Sequence, residues 1–197
     1  KKVWPVGMSV EVLQTDAGME GSWYEAVITD HEFDAKCVVK YLELHEGDDD
    51  EEKNAKKKKK EDAPPEPYIS PEPVKFLRPL PPRREGDAFA QWFGSLKPGD
   101  AADFRFDGGY WDVELVRIEK PKRVSFGGDK GKGKEGDGEK APVTWLVRSV
   151  NYEVEHLATP DLLRPPLDWA GAVSGGQQDD HESKWASRPP PEVLFVG

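Results

Sequence analysis

Only one of the 197 residues is a cysteine, Cys37. No intramolecular disulfide can form, and no zinc site can be built on thiolates. A lone thiol also predicts a reducing compartment. Long apolar runs are missing: no stretch approaches the roughly 20 residues a membrane-spanning helix needs, and no membrane role is expected. Nothing at the start resembles a signal peptide. Basic charge is in deficit, 28 Lys and Arg against 38 Asp and Glu for a net charge of -10. The long-range field therefore repels a polyphosphate and favours a cationic partner. No Gly-Lys-Ser/Thr phosphate loop occurs, and residues 127–138 are too charged and repetitive for a dinucleotide fingerprint. The histidines His31, His45, His156 and His181 are far apart, with no metal-ligand spacing or paired carboxylate. No nucleophile has a recognisable base. These absences predict a non-enzyme without metal or cofactor.

What is present points to small β-rich modules. Hydrophobic residues make up 36% and charged residues 34%, with 18 Pro and 19 Gly spread along the chain, and the mean hydropathy is -0.75. A single large core is not expected from such a composition. Residues 47–73 run from acidic through Lys56–Lys60 to a Pro/Glu segment, and residues 127–142 alternate Gly with Lys, Asp and Glu. Both read as disordered inserts, as does most of a flexible tail at 172–197. The Lys56–Lys60 run reads either as a nuclear localisation or DNA-contacting segment or as a solvated loop, with acids on both sides partly neutralising it. The opening Lys1-Lys2-Val3-Trp4, without an initiator Met, predicts a piece of a longer or processed protein.

The remaining sequence is duplicated. Gly7-Met8-Ser9-Val10-Glu11-Val12, Gly21-Ser22-Trp23-Tyr24-Glu25-Ala26-Val27-Ile28, Cys37-Val38-Val39-Lys40-Tyr41 and Phe76-Leu77-Arg78-Pro79 follow one another in the first copy. The second has Gly99-Asp100-Ala101-Ala102-Asp103-Phe104, Gly109-Tyr110-Trp111-Asp112-Val113-Glu114-Leu115, Val143-Thr144-Trp145-Leu146-Val147-Arg148-Ser149 and Leu162-Leu163-Arg164-Pro165 in the same order. The inserts fall after the third strand of one copy and before it in the other. Short β-branched or aromatic segments bounded by Gly, Pro and Asp predict antiparallel strands closing into small, partly open barrels. Residues 85–93 between the copies predict a helical turn or two, with Phe89, Trp92 and Phe93 buried between the barrels.

The order Gly-x-x-Val-Glu-Val, Gly-Ser-Trp-Tyr-x-Ala-Val in the first copy, then Val-x-Tyr and Leu-Arg-Pro, resembles the plant Agenet domain of the Tudor-like Royal superfamily. Lys97-Pro98-Gly99-Asp100, Tyr110-Trp111, Leu163-Arg164-Pro165 and Asp168-Trp169 resemble the second member of an Agenet pair. The first copy is also similar to the first Tudor domain of the ubiquitin-like PHD and RING finger proteins. The resemblance implies an all-β tandem of Tudor-like barrels, with repeats at 3–82 and 95–171 joined by residues 83–94. It further implies a monomeric nuclear chromatin reader whose ligand is a dimethylated lysine at a silencing mark in a histone tail. A nucleic-acid scaffold or protein-interaction module is the alternative, disfavoured by the net charge.

Alternation along the strands groups Tyr24, Ala26 and Ile28 on one face, and Cys37, Val39 and Tyr41 on the same inner side. Tyr24 and Tyr41 thereby become the expected methyl-lysine cage, since a methylated ammonium is attracted to aromatic faces. Trp23, on the outer face, is a further candidate. The related Tudor domain implies Asp16 as the acidic member, with Glu20 and Glu43 as alternates, and Leu44 stands where that domain has another aromatic. In the second copy Ser149 replaces the facing tyrosine. That copy is therefore expected to lack its own cage, with Trp111 serving stability more than recognition, and to line a peptide groove through Asp103, Asp107, Trp111 and Asp112, Glu114 lying close by.

Overall fold

The computed structural model describes residues 4–33, 35–45, 65–119, 143–170 and 185–189. The first repeat comprises β1 (Ser9–Leu13), β2 (Trp23–Glu32), β3 (Lys36–His45), β4 (Pro67–Pro73) and β5 (Leu77–Pro79), with a 3₁₀ turn at Val74–Phe76. After α1 (Gly86–Ser95) the second repeat runs β6 (Ala101–Phe106), β7 (Gly109–Glu119), β8 (Thr144–Ser149), β9 (Glu155–Ala158) and β10 (Leu163–Arg164), with a 3₁₀ turn at Pro160–Leu162. β11 (Leu167–Trp169) then pairs with β12 (Trp185–Ser187). All pairings are antiparallel, in the order β4-β3-β2-β1-β5 and β9-β8-β7-β6-β10.

The register makes the copies equivalent residue by residue. Glu11 opposes Arg78 as Asp103 opposes Arg164. Val12 opposes Tyr24 as Phe104 opposes Trp111, and Ala26 opposes Tyr41 as Val113 opposes Ser149. Alternation decides the faces as the sequence predicts: Tyr24, Ala26, Ile28, Cys37, Val39 and Tyr41 are all buried, while Lys40 is exposed. Ala102, Phe104, Val113, Leu115, Trp145 and Val147 build the second core. Each core is small, as the composition requires.

Three segments depart from expectation. Residues 67–73 lie inside the stretch read as disordered, yet they form β4 along β3 from Lys36↔Pro73 to His45↔Pro67. Residues 185–189 of the expected flexible tail are docked through β12. The connection forms a ten-residue helix, and Phe89, Trp92 and Phe93 are half-buried; Trp92 and Phe93 pack on the second core, not between the barrels. The other residues of the 47–73 and 127–142 inserts and of the tail lie outside the described residues.

The repeats are joined through β2 and β7, which pair at Trp23↔Tyr110 and Tyr24↔Gly109 and so merge ten strands into one sheet. Behind this seam lies a buried ionic joint. Arg78 donates through Nε to Glu11 Oε2 at 2.8 Å and through Nη1 to the Leu167 carbonyl at 3.0 Å. Arg164 reaches Glu11 Oε1 at 2.5 Å and Asp103 Oδ2 at 3.1 Å. Each guanidinium also stacks on an aromatic ring of the seam, Arg78 on Trp23 at 3.6 Å and Arg164 on Tyr110 at 3.4 Å. Glu11 is fully buried and Asp103 is 1% exposed. Two acids and two arginines balance in charge, but removing any one leaves a buried partner uncompensated, a loss of about 3–5 kcal/mol.

Candidate functional site

The mouth of the first barrel is closed. Tyr24 and Tyr41 are each 1% exposed. Tyr24 donates its hydroxyl to the Asp107 carbonyl at 3.0 Å. Its ring is covered by Gly109, where a Cβ would stand 2.7 Å from a ring carbon, so only glycine fits. Tyr41 donates to Glu72 at 3.0 Å, accepts from Gln14 Nε2 at 3.1 Å, and stacks on Tyr68 at 5.7 Å between centroids. Burial, helped by the charge of Asp107, pushes the Tyr24 pKa up to about 12, and chiefly burial raises that of Tyr41. The cage expected from these two rings is corrected accordingly: they share the predicted inner face but are core residues whose ring faces offer no open surface.

The other expected cage members are dispersed. Trp23 lies on the outer face in the seam, under Arg78. Glu43 is exposed and paired with Arg105. Leu44 packs against the first core. Asp16 and Glu20 are exposed on the loop between β1 and β2.

The second barrel has an open aromatic pocket of about 300 Å³ where the first is plugged. Trp111 and Tyr152 form one wall, edge to face at 5.6 Å. Phe104, Phe106 and His156 form the other, with Phe106 and His156 centroids 4.4 Å apart and Phe104 and Phe106 stacked at 6.0 Å. Val113 and Ser149 lie at its base, and Gly18 from the first repeat contributes to its lining. Trp111 is fixed by donating Nε1–H to the Phe106 carbonyl at 2.8 Å. The Tyr152 hydroxyl is buried without a hydrogen-bond partner.

The second repeat, expected to lack its own cage, thus holds an aromatic-lined pocket, and the reason is volume. Ser149 matches Tyr41 in register, and its small side chain leaves unfilled the space that the tyrosine occupies in the first barrel. Phe106 matches Gln14, so the polar partner of Tyr41 is replaced by a ring. The first repeat still contributes at the rim: Asn151 Nδ2 donates to the Glu20 carbonyl at 2.9 Å, which docks the β1–β2 loop beside Tyr152. Asp16 and Glu20 flank Gly18 on that loop, so the acids expected for the first barrel stand on the loop that borders the second barrel's pocket.

The expected groove of Asp103, Asp107, Trp111 and Asp112 is divided by the strand pleat. Trp111 faces the pocket with Phe104, whereas Asp103 and Asp112 are cross-strand partners on the opposite face. There they are bridged by Arg188. Burial raises the Asp103 pKa from 3.8 to about 6, against the lowering pull of Arg164 and Arg188. Asp107 is an exposed turn residue with positive φ before Gly108, the two-residue geometry of a tight hairpin. Among the described residues no group of His, Cys, Asp and Glu could hold a metal ion, and no helix is long and apolar enough to cross a membrane. His31 lies 3.6 Å from the buried Cys37, and His181 is outside the described residues.

Residues 7–82 match the family model of the Agenet domain. The structure of AGDP1 AGD34 from Arabidopsis thaliana is similar to the whole chain, with a TM-score of 0.59 at 19% identity over 94% of this chain and 90% of that one. The tandem Agenet domain 3-4 of ADCP1 is similar with a TM-score of 0.53 at 20% identity, over 85% and 83% of the two chains. At these identities the likeness is one of fold. No curated protein matches the sequence. Nothing in these matches indicates an enzyme family.

Proposed function

We propose that this chain, whose residues 7–82 form an Agenet domain, is a chromatin reader that binds a dimethylated lysine of a histone tail in the pocket of its second repeat. The observation that carries the reading is that pocket: rings of Phe104, Phe106, Trp111, Tyr152 and His156 around about 300 Å³. A methylammonium gains roughly 0.5–2 kcal/mol from a ring face, depending on desolvation, and its methyl groups gain from leaving water. A dimethylammonium keeps one N–H, which a trimethylammonium lacks, and the carboxylates of Asp16 and Glu20 on the bordering β1–β2 loop supply an acceptor for it. The net charge of -10 suits a basic tail, and the acids of the β1–β2 loop stand on the approach. A histone ligand places the protein in the nucleus.

Calorimetric titration with histone-tail peptides bearing un-, mono-, di- and trimethylated lysine tests the reading. The dimethyl peptide should bind tightest, Trp111→Ala should remove binding in a folded protein, and Asp16→Asn combined with Glu20→Gln should narrow the gap between the di- and trimethyl peptides. Equal binding of the unmethylated peptide would contradict the reader role. Affinity that collapses steeply with salt would point instead to a phosphate-bearing partner.

A further inference from the structure

On the face of the β6–β7 ladder opposite the aromatic pocket, one guanidinium satisfies three carboxylates drawn from three strands. Arg188 pairs with Asp112 and reaches Asp103 Oδ1 at 3.3 Å through Nη1, and donates to Asp168 through Nε at 2.8 Å. Asp103 and Asp112 oppose each other directly across the ladder, an arrangement in which like charges repel. Arg164 serves Asp103 through Oδ2, which leaves Oδ1 and Asp112 turned toward Arg188. A cation is therefore required at this spot by the acids themselves.

The segment that supplies the cation is lightly attached. β12 forms three residue pairs with β11, extended by the Arg188 amide donating to the Pro166 carbonyl at 2.9 Å, with the Trp185 ring 5.3 Å from that of Trp169. Ala186 and Ser187 are exposed. A two-stranded ladder of this length is marginal by itself, so the arginine with its carboxylates, and Trp185 against Trp169 and the Arg78 guanidinium 5.3 Å away, anchor it. Its geometry is that of an extended peptide added to a strand edge, with backbone bonds giving affinity and one side-chain slot giving selectivity.

We propose that residues 185–189 are an internal ligand, and that Asp103, Asp112 and Asp168 together with the edge of β11 form a binding site for an extended, arginine-bearing peptide of another protein, which the chain's own tail fills in that partner's absence. The fork of Arg engages several carboxylates at once in a way the point charge of Lys does not, so the slot selects arginine. Because the segment belongs to the same chain, it competes intramolecularly, at an effective concentration on the order of millimolar that an external peptide must overcome. The slot and the aromatic pocket lie on opposite faces, so this site stands apart from methyl-lysine reading.

The test is fluorescence anisotropy of a labelled peptide with the sequence of residues 183–191, titrated with the full chain. Arg188→Ala empties the slot and should bind the peptide at least about tenfold more tightly than the wild type. Adding Asp112→Asn, at a partly exposed position, should remove that gain, and a peptide with Lys in place of Arg should bind more weakly to the emptied slot. A folded Arg188→Ala chain that binds the peptide no better than the wild type would overturn the proposal. Failure of Arg188→Ala to fold by circular dichroism would overturn it equally, because the segment would then be an integral strand and not a displaceable ligand.

Discussion

At matching positions of the third strand the first barrel carries Tyr41 and the second Ser149, and at the end of the first strand they carry Gln14 and Phe106. In the first barrel the tyrosine turns into the core and is held there by Gln14 and Glu72. In the second the small serine leaves space and the surrounding rings line it. An aromatic site therefore comes from the position that has lost its ring, because a pocket needs both walls and a vacancy. The barrel with the more tyrosines at its mouth is the closed one.

The comparison breaks most visibly in stability. Tyr41→Ala should cost about 3–5 kcal/mol, as truncation of a buried aromatic does, while Ser149→Ala should change little. Urea unfolding of both variants, followed by tryptophan fluorescence, measures the difference; similar midpoints would mean that the two positions are not distinguished by packing. A subtler change exchanges the mouths' characters. Ser149→Tyr should fill the pocket and weaken methyl-peptide binding by about tenfold or more, some 1.4 kcal/mol, in a protein that remains folded. Undiminished binding by that variant would show that the vacancy is not the site.

The smallest expected effect concerns the outer face. The folded pKa of Asp103 is raised to about 6 by burial, countered by Arg164, Arg188 and Arg78 and reinforced by Asp112. Folded protein thus holds this proton more tightly than unfolded chain, whose Asp titrates near 4. The stabilisation from protonating it is fully present below about pH 4 and is lost as pH rises through about 6. Thermal melts across this range should show the wild type losing stability with rising pH relative to Asp103→Asn, and no further relative change above pH 7. A relative gain over the same range would contradict the burial argument. Protonation also weakens the contact to Arg188, so the tail should loosen in the same window.

Much of the fold was readable because it rests on local pattern. Alternation in β2 and β3 separated the buried from the outer residues correctly, and the repeated order of segments located both copies. What escaped the sequence depends on partners brought together by the fold. Glu72, which holds Tyr41 inward, lies in a segment whose composition reads as disordered. β4 and β12 lack strong alternation and form strands because β3 and β11 offer edges. The face of Tyr41 was legible, but whether it walls a cavity or fills one depends on Gln14 and Glu72, far away in sequence. The ionic joint did leave a signal: Glu11 and Asp103 recur at equivalent positions, as do Arg78 and Arg164, and a duplicated acid matched by a duplicated arginine marks a repeated pairing within one chain.

The central claim is that the second barrel's mouth receives the methylated lysine. Nuclear magnetic resonance of the protein with a histone peptide carrying a ¹³C-dimethylated lysine tests it directly, through intermolecular Overhauser contacts from the labelled methyl groups. Contacts to ring protons of Trp111, Tyr152 and Phe106 are the expected result. Contacts to Tyr24 and Tyr41 instead would return the site to the first barrel and contradict the account.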